Sequence, residues 1–124
     1  MATHAVTSQD FNQVVESNDL VFVDFWATWC GPCRAFGPTF EKASEANPDV
    51  YFAKVDIDQN PDLAAAAKVQ AVPTLMVVKK QQIIFQQAGA LRASDLDDLI
   101  SQAKAWIWMR PLPMGTPLPA KTPK

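Results

Sequence analysis

The only two cysteines of the chain lie three residues apart, in the run Trp29-Cys30-Gly31-Pro32-Cys33. This run follows the apolar segment Leu20–Trp26 and leads into the amphipathic segment Arg34–Asn47. Cysteines three apart at the start of a helix share one face, so their sulfur atoms can form a disulfide bond and release it again. The position of the pair between a strand and a helix therefore predicts thiol–disulfide exchange.

A CxxC pair alone also fits a metal site, a haem attachment site or a structural disulfide. A zinc or iron–sulfur site needs about four ligands, whereas the chain offers two cysteines and one distant histidine, His4. Haem attachment requires a histidine after Cys33, where Arg34 stands. A disulfide across so short a loop restrains the unfolded chain very little. We therefore expect no metal site and favour redox chemistry.

The two sulfur atoms differ in their predicted surroundings. Cys30 lies at or just before the start of a helix, where unpaired N–H groups and the helix dipole stabilise a thiolate. Such a position lowers the pKa of a cysteine thiol below its ordinary value of about 8.5. Because Cys30 is nearer the exposed loop, we expect it to attack, and Cys33 to resolve the mixed disulfide. Gly31 and Pro32 keep the loop tight and compatible with a helix start.

Length, composition and charge indicate an ordinary soluble domain. A chain of 124 residues with 48% hydrophobic residues can build one core. The net charge of −2 provides no basic surplus for nucleic acid. The first residues lack the charged and apolar regions of a secretory signal, and no stretch is long enough to span a membrane. We therefore expect a cytoplasmic protein, in which a CxxC pair is catalytic rather than structural.

Hydrophobic periodicity predicts alternating helices and strands in one α/β domain. The βαβ part implies a parallel pair with a right-handed crossover, and the last two strands are close enough to form an antiparallel hairpin. The segment Lys79–Gln82 between those strands lacks Gly and Asn, which disfavours a two-residue primed turn. The predicted strands are Leu20–Trp26, Val50–Ile57, Thr74–Val78 and Ile83–Phe85, with a short first strand around Ala2–Val6. The first predicted helix has Phe11, Val14 and Val15 on its apolar stripe and is capped by Thr7 or Ser8. The second is Arg34–Asn47, with a kink at Pro38, and the third is Asn60–Lys68. The fourth is capped by Ser94 and extends to Ile107.

The last residues differ in composition from the domain, which we place at residues 1–105. From Pro111 onward five of fourteen residues are proline, which excludes a helix or a sheet interior. We expect residues 106–124 to be extended or disordered. The run Trp106–Arg110, four apolar residues followed by an arginine, fits a segment that binds a partner or an interface. It also fits a frayed helix end followed by an inert or weakly packed tail, which is the interpretation we favour.

The chain resembles the thioredoxin family. The run Val23–Cys33 matches the family signature nearly residue for residue, and the other matches follow in order over roughly residues 6–105: Pro38, Lys54–Asp58, Val72–Thr74 and Gly89–Leu91. A CxxC pair near a βαβ pattern is itself a known sign of thioredoxins. The resemblance implies a thioredoxin fold, with a central mixed β-sheet of four to five strands flanked by four helices.

The resemblance also implies a proton relay beside the cysteines. Asp24 would be a buried carboxylate that accepts and returns the proton of Cys33, with Lys54 as its neighbour on the adjacent strand. The sequence supports burial, because Asp24 lies in an otherwise apolar strand, and burial raises the pKa of a carboxyl. The alternative is that Asp24 merely caps or orders the loop.

A substrate-binding surface is implied in the same way. By resemblance Pro73 is a cis-proline that faces the cysteines, and the backbone of Val72 pairs with an extended client segment. The alternative is an ordinary turn before a strand. We call the implied apolar face the docking surface, and define it as Trp29, Gly31, Pro32, Val72, Pro73, Gly89 and Ala90.

The function implied by the resemblance is reduction of client protein disulfides through a reversible Cys30–Cys33 dithiol/disulfide cycle. The Gly-Pro pair between the cysteines resembles the reducing members of the family. Such a protein is monomeric, binds no cofactor, and takes electrons from NADPH through thioredoxin reductase. Its clients would include ribonucleotide reductase, peroxiredoxins and methionine sulfoxide reductase, in electron transport and cell redox homeostasis. Two alternatives stay open: a redox protein dedicated to one partner through residues 106–124, and a non-catalytic binding module.

Overall fold

The computed structural model describes residues 2–105, so the expectations for residues 106–124 lie outside the described residues. None of the helices in this part of the chain has the length and apolar character needed to cross a membrane. The elements in chain order are β1 (Thr3–Ala5), α1 (Phe11–Ser17), β2 (Leu20–Trp26), α2 (Gly31–Ala46), β3 (Tyr51–Asp56), α3 (Pro61–Ala66), β4 (Thr74–Lys79), β5 (Gln82–Ala88) and α4 (Ala93–Ala105).

The strands form one mixed sheet in the order β1-β3-β2-β4-β5. β3 pairs in parallel with β1 and β2, whereas β4 pairs antiparallel with β2 and β5. β2 occupies the centre, and its residues Leu20–Phe25 are all buried, as expected for a strand covered on both faces. The predicted fold, a mixed sheet of four to five strands with four helices, is confirmed.

Two helices cover each face of the sheet, because the strands have apolar side chains on both faces. On one face Phe22 and Phe52 pack in a cluster with Phe36 and Phe40 of α2 and with the buried stripe of α4. On the other face the sheet residues pack against α1 and α3. This arrangement leaves the carboxyl end of β2, where the cysteines follow, at one edge of the layered core.

Two predicted helix caps are wrong. The N-cap residue of α1 is Asp10, and the Thr7 hydroxyl donates to the Asp10 carboxylate at 2.9 Å within the preceding turn. Ser8 bonds to a different element, as described below. α4 begins at Ala93, so Ser94 lies inside the helix instead of capping it. Backbone carbonyl groups supply early hydrogen bonds instead: the Phe11 N–H donates to the Thr7 carbonyl oxygen at 3.0 Å, and the Leu96 N–H donates to the Arg92 carbonyl oxygen at 2.9 Å.

The β4–β5 connection also differs from the sequence-based expectation. β4 ends at Lys79 and β5 begins at Gln82, so the turn has two residues. Lys80 and Gln81 both have positive φ, 50° and 67°, as in a type I′ turn. The strand register fixed by the buried residues of β4 overrides the unfavourable local preference of these side chains.

The end of α4 is joined to the end of α2, far from the cysteines. The Lys104 ammonium donates to the Asn47 side-chain oxygen at 2.7 Å and lies 3.1 Å from the Asp49 carboxylate. Asn47 is the C-cap residue of α2 and Cys30 is its N-cap residue. At about 1.5 Å per residue, the helix therefore separates these two ends by more than 20 Å, on the order of its full length.

Candidate active site

The cysteine pair lies where β2 ends and α2 begins. Cys30 is the N-cap residue of α2, with an extended backbone conformation, and Pro32 occupies the first turn. Cys33, also in the first turn, forms a disulfide bond with Cys30. The tight loop places the two sulfur atoms on one face of the helix start, as the spacing predicts, and the disulfide pairing is confirmed.

The helix start distinguishes the two cysteines, whereas their exposure does not. Cys30 and Cys33 are 4% and 5% exposed, so the exposure of the whole residues does not separate them. The Cys33 backbone N–H donates to the Cys30 sulfur at 3.1 Å. A thiolate formed at Cys30 on reduction would keep this donor and the positive end of the helix dipole.

The loop before β4 faces the nucleophile candidate. The Val72–Pro73 peptide bond is cis, in agreement with the family resemblance. The Val72 carbonyl oxygen lies 3.6 Å from the Cys30 sulfur, and Val72 packs against the small apolar cluster that contains both cysteines. The backbone of this loop is therefore next to the position where a bound disulfide would react.

Two hydrogen bonds hold this loop in place. The hydroxyl of the buried Thr74 donates to the Ala71 carbonyl oxygen at 2.5 Å. The Gly89 N–H donates to the Pro73 carbonyl oxygen at 2.8 Å, which joins the end of β5 to the loop. Gly89 has φ +108°, a backbone conformation that favours glycine. Gly89 and Ala90 are exposed beside the loop.

An exposed indole lies directly before the disulfide. Trp29 is 65% exposed, and its Nε1–H donates to the Asp58 carboxylate at 2.9 Å. The Arg34 guanidinium donates to the Thr28 carbonyl oxygen at 2.9 Å, so both ends of the loop around the cysteines are tethered. The indole ring therefore presents an apolar surface in a fixed place next to Cys30.

The seven residues of the docking surface fall into two groups around the disulfide. One group lies on the β2–α2 connection and the first turn of α2, where Trp29, Gly31 and Pro32 are exposed. In the other group, at the loop before β4 and the end of β5, Val72 is half-buried, Pro73 is buried, and Gly89 and Ala90 are exposed. Ala90 is connected to the site only as the neighbour of Gly89. The Cys30 sulfur, which the first group flanks in sequence, lies 3.6 Å from the Val72 carbonyl oxygen of the second group.

Asp24 lies within β2 and is 1% exposed. Neither of its carboxylate oxygens has a hydrogen-bond partner among the described residues. Burial raises the pKa of Asp24 from 3.8 to about 7, while the charge of Lys54 acts in the opposite direction. Desolvation outweighs the single nearby cation, so this carboxyl titrates near neutral pH.

Lys54 is the residue opposite Asp24 on β3. Its ammonium lies 5.4 Å from the centroid of the Trp26 ring, and a side-chain carbon at Gly37 of α2 would meet it at 3.9 Å. The lysine thus extends between the end of β2 and α2. The structure places Lys54 beside both Asp24 and α2, the helix that bears the disulfide. The proton relay implied by the resemblance stays a prediction.

Sequence reasoning assigned no role to two residues that support the site. Asp58 lies in the matched run Lys54–Asp58, but nothing local shows that its carboxylate binds the indole of Trp29. Thr74 lies in the matched run Val72–Thr74, and its hydroxyl holds the loop before β4 through the bond to the Ala71 carbonyl oxygen. The first contact joins residues far apart in the sequence, and the second depends on how the chain turns before β4. The family match was therefore the only signal in the sequence that pointed to Asp58 and Thr74. Between residues 2 and 105 there is no cluster of three or more histidine, cysteine, aspartate or glutamate side chains suited to a metal ion.

Comparison with known proteins gives a consistent result. The family model for Thioredoxin matches residues 2–102. A Streptomyces coelicolor protein provisionally named thioredoxin 2 is 50% identical over 103 residues, which cover 83% of this chain and 77% of that protein. A thioredoxin of Mycoplasma pneumoniae is 37% identical over 102 residues, which cover 82% of this chain and 100% of that protein.

Solved structures agree with the fold as well as with the sequence. A mutant thioredoxin from Halobacterium salinarum superimposes with a TM-score of 0.79 at 33% identity, covering 85% of this chain and 93% of that one. A structure described as the basis of the thiol resolving mechanism in yeast mitochondrial 1-Cys peroxiredoxin via glutathione/thioredoxin systems has a TM-score of 0.74 at 36% identity, covering 81% of this chain and 94% of that one.

Proposed function

Because the chain belongs to the thioredoxin family and is a thiol–disulfide oxidoreductase, we propose an ordered mechanism in which Cys30 attacks, Cys33 resolves and Asp24 carries the proton. The observation that carries this proposal is the N-cap position of Cys30, whose sulfur accepts a hydrogen bond from the Cys33 N–H at 3.1 Å. A helix N-terminus stabilises negative charge at that sulfur, and the thiolate is the attacking species.

Reduction proceeds in two exchange steps. The Cys30 thiolate attacks one sulfur of the client disulfide, and the other client sulfur leaves as a thiolate that takes up a proton. The Cys33 thiolate then attacks the Cys30 sulfur, which breaks the mixed disulfide and releases the second client thiolate. The protein ends as the Cys30–Cys33 disulfide, and the client has gained two electrons and two protons.

Asp24 serves the second step as a general base. A carboxyl with a pKa of about 7 is ionised often enough near neutral pH to accept the Cys33 proton, and basic enough to assist its removal. Lys54 limits the rise of this pKa, because a nearby positive charge favours the ionised form.

The docking surface receives an extended segment of the client. The Val72 backbone, 3.6 Å from the Cys30 sulfur at its carbonyl oxygen, pairs with the client backbone as in local strand addition. The exposed Trp29 ring and the small residues Gly31, Pro32 and Gly89 allow close approach without selecting particular side chains. This supports a general reductase in place of one dedicated to a single client.

Electrons come from NADPH through a flavin-containing thioredoxin reductase, so the chain acts as a carrier in electron transport and cell redox homeostasis. Its clients include ribonucleotide reductase, peroxiredoxins and methionine sulfoxide reductase, and its compartment is the cytoplasm. The peroxiredoxin context of one solved relative supports the second of these clients. Residues 1–105 form the redox domain in this proposal, and we expect a chain without residues 106–124 to reduce insulin at an unchanged rate.

Insulin reduction tests the proposed activity. We expect the protein to accelerate the reduction of insulin disulfides by NADPH and a bacterial thioredoxin reductase, and also by dithiothreitol. Cys30→Ser removes the attacking sulfur and should reduce the rate to that without protein. Ser44→Ala, a buried hydroxyl deletion in α2 away from the disulfide, is the control and keeps the full rate. A Cys30→Ser variant as fast as the unchanged protein would refute the proposal.

A further inference from the structure

Asn60 is placed as a helix cap but does not cap. It is the N-cap residue of α3, where an asparagine side-chain oxygen commonly accepts a backbone N–H of the first turn. The Asn60 side chain makes no such bond. It is 7% exposed, and its oxygen accepts instead from the Ser8 backbone N–H at 2.9 Å and lies 3.4 Å from the Ser8 hydroxyl. The Asn60 side-chain oxygen therefore serves the segment before α1 and not the first turn of α3.

The amide end of Asn60 holds the turn that connects β3 to α3. The side-chain NH₂ donates to the Asp56 carbonyl oxygen at 3.0 Å, and the Asn60 backbone N–H donates to the same oxygen at 3.0 Å. The Asp56 carboxylate in turn accepts from the Asp58 N–H at 2.9 Å. Asn60 thus closes the turn that carries Asp58 and anchors it to the segment before α1.

This turn touches the disulfide site at two points. The Ile57 N–H donates to the Trp26 carbonyl oxygen at 2.9 Å, and Ile57 packs against the cluster of Ala27, Cys30 and Cys33. The Asp58 carboxylate accepts the Trp29 indole N–H at 2.9 Å. A continuous series of hydrogen bonds therefore runs from Ser8 through Asn60, Asp56 and Asp58 to Trp29.

We propose that Asn60 is a positioning residue for client reduction, which holds the Asp58 carboxylate at the Trp29 indole N–H by anchoring the β3–α3 turn to Ser8. The inference rests on the proposed role of Trp29 in the docking surface. It adds a residue that touches neither the client nor the cysteines but sets the orientation of the ring that the client meets.

The geometry predicts an effect on binding and not on the chemical step. The helix start that activates Cys30 is held by α2 itself and by the Cys33 N–H, which Asn60 does not touch. Loss of the Asn60 side chain leaves the Ser8 N–H without its acceptor and removes the amide bond to the Asp56 carbonyl oxygen. The bond from the Asp58 N–H to the Asp56 carboxylate remains, as does the bond from the Ser8 hydroxyl to the Asp62 carboxylate, but neither fixes the turn through Asn60. The indole of Trp29 then loses a fixed acceptor while the disulfide geometry stays unchanged.

Single-turnover kinetics of the full chain test this separation. The pre-reduced protein is mixed with increasing insulin, and its oxidation gives a half-saturating concentration and a limiting rate. For Asn60→Ala we expect the half-saturating concentration to rise about fivefold, the effect of losing roughly one hydrogen bond. The limiting rate and the rate with the small disulfide 5,5′-dithiobis(2-nitrobenzoate) stay unchanged. Asn47→Ala removes a comparable bridging asparagine at the far end of α2 and should change none of these values.

Two further variants separate positioning from general loss of stability. Asn60→Ser keeps a good N-cap residue but cannot span from Ser8 to Asp56, so it should raise the half-saturating concentration as Asn60→Ala does. In an Asp58→Ala background, Asn60→Ala should have no additional effect, because the series of bonds is already broken. Additive effects of Asn60 and Asp58, or an unchanged half-saturating concentration in Asn60→Ser, would overturn the proposal.

The indole N–H of Trp29 provides a spectroscopic check. Its NMR resonance is assigned by its loss in Trp29→Phe, and its hydrogen exchange should accelerate in Asn60→Ala and Asn60→Ser but not in Asn47→Ala. Unchanged exchange in both Asn60 variants would contradict the positioning role. Failure of the unchanged protein to reduce insulin would instead contradict the proposed function, so the two failures are distinguishable.

Discussion

Asp24 and Lys54 lie opposite each other in the register of the parallel strands β2 and β3. The carboxyl is buried with neither oxygen hydrogen-bonded among the described residues, and its pKa is raised to about 7 against the effect of the lysine. Neutral pH therefore lies within the titration range of the one buried acid in the central strand. The pH dependence of both catalysis and stability follows from this pair.

Replacing the proton carrier should slow one exchange step selectively. Asp24→Asn removes the general base but not the helix start that activates Cys30. We expect release of the client from the mixed disulfide to slow by roughly 10²-fold, the lower end for general acid–base catalysis, with little change in the first attack. Rapid acid quenching and mass spectrometry of the mixed disulfide measure both steps. Glu41→Gln, which also alters a carboxylate with a buried unpartnered oxygen, is the control, and equal release rates in Asp24→Asn would count against the relay.

The substitution Asp24→Asn should also stabilise the oxidised protein at neutral and alkaline pH. Between 3.8 and about 7 the folded state holds a proton on Asp24 that the unfolded state has lost, so the free energy of unfolding falls as pH rises through this range. Asn does not titrate, so the advantage of Asp24→Asn grows from near zero at pH 4 to a plateau above pH 7. A shift of this size corresponds to ~4 kcal/mol. Urea unfolding from pH 4 to 9 measures it, and an advantage that shrinks with rising pH would contradict the assigned pKa.

Removing the positive charge should move the titration of Asp24 upward. In Lys54→Met the carboxyl loses the charge that lowers its pKa, so the pKa should exceed its present value of about 7. Carbon-13 NMR of the Asp24 carboxyl measures the shift directly, and the pH profile of client release should move in the same direction. Lys42→Met, an exposed lysine on α2, should leave the titration unchanged. A lower or unaltered pKa in Lys54→Met would show that the charge of Lys54 does not lower the pKa of Asp24.

The hydroxyl of Thr74 should matter for activity more than an equivalent hydroxyl elsewhere. Thr74→Val loses the bond to the Ala71 carbonyl oxygen, and Ser44→Ala loses a bond of the same length to the Glu41 carbonyl oxygen, also three residues back. Both should destabilise the fold by about 1 kcal/mol. Only Thr74→Val should also slow insulin reduction, because its loop faces Cys30. Equal activity of the two variants at matched stability would show that the loop position does not need this bond.

Sequence patterns predict the parts of this molecule that depend on local order. The run of apolar residues around Asp24 indicates burial because a central strand has two covered faces. The spacing of Cys30 and Cys33 after a strand and before a helix determines which sulfur receives the helix N-terminus. Both features are confirmed, and both arise from residues close together in the chain.

Other features depend on contacts between distant segments, and local sequence patterns could not predict them. Asn60 has the residue type and position of a helix cap, yet its side chain bridges to Ser8 because the folded chain brings the segment before α1 beside it. Lys80 and Gln81 take positive φ because the paired strands leave two residues for the turn. In each case tertiary packing outweighs a local preference of about 1–2 kcal/mol.

The order in which the two cysteines react is tested most directly by trapping the mixed disulfide. Cys33→Ser and Cys30→Ser proteins are mixed with insulin under identical conditions, and covalent adducts are counted by mass spectrometry with the bonded cysteine located by peptide mapping. We predict that Cys33→Ser accumulates an adduct through Cys30, whereas Cys30→Ser forms essentially none. An adduct that forms as fast through Cys33 in the Cys30→Ser protein would contradict the central claim that the helix N-terminus selects Cys30 as the attacking sulfur.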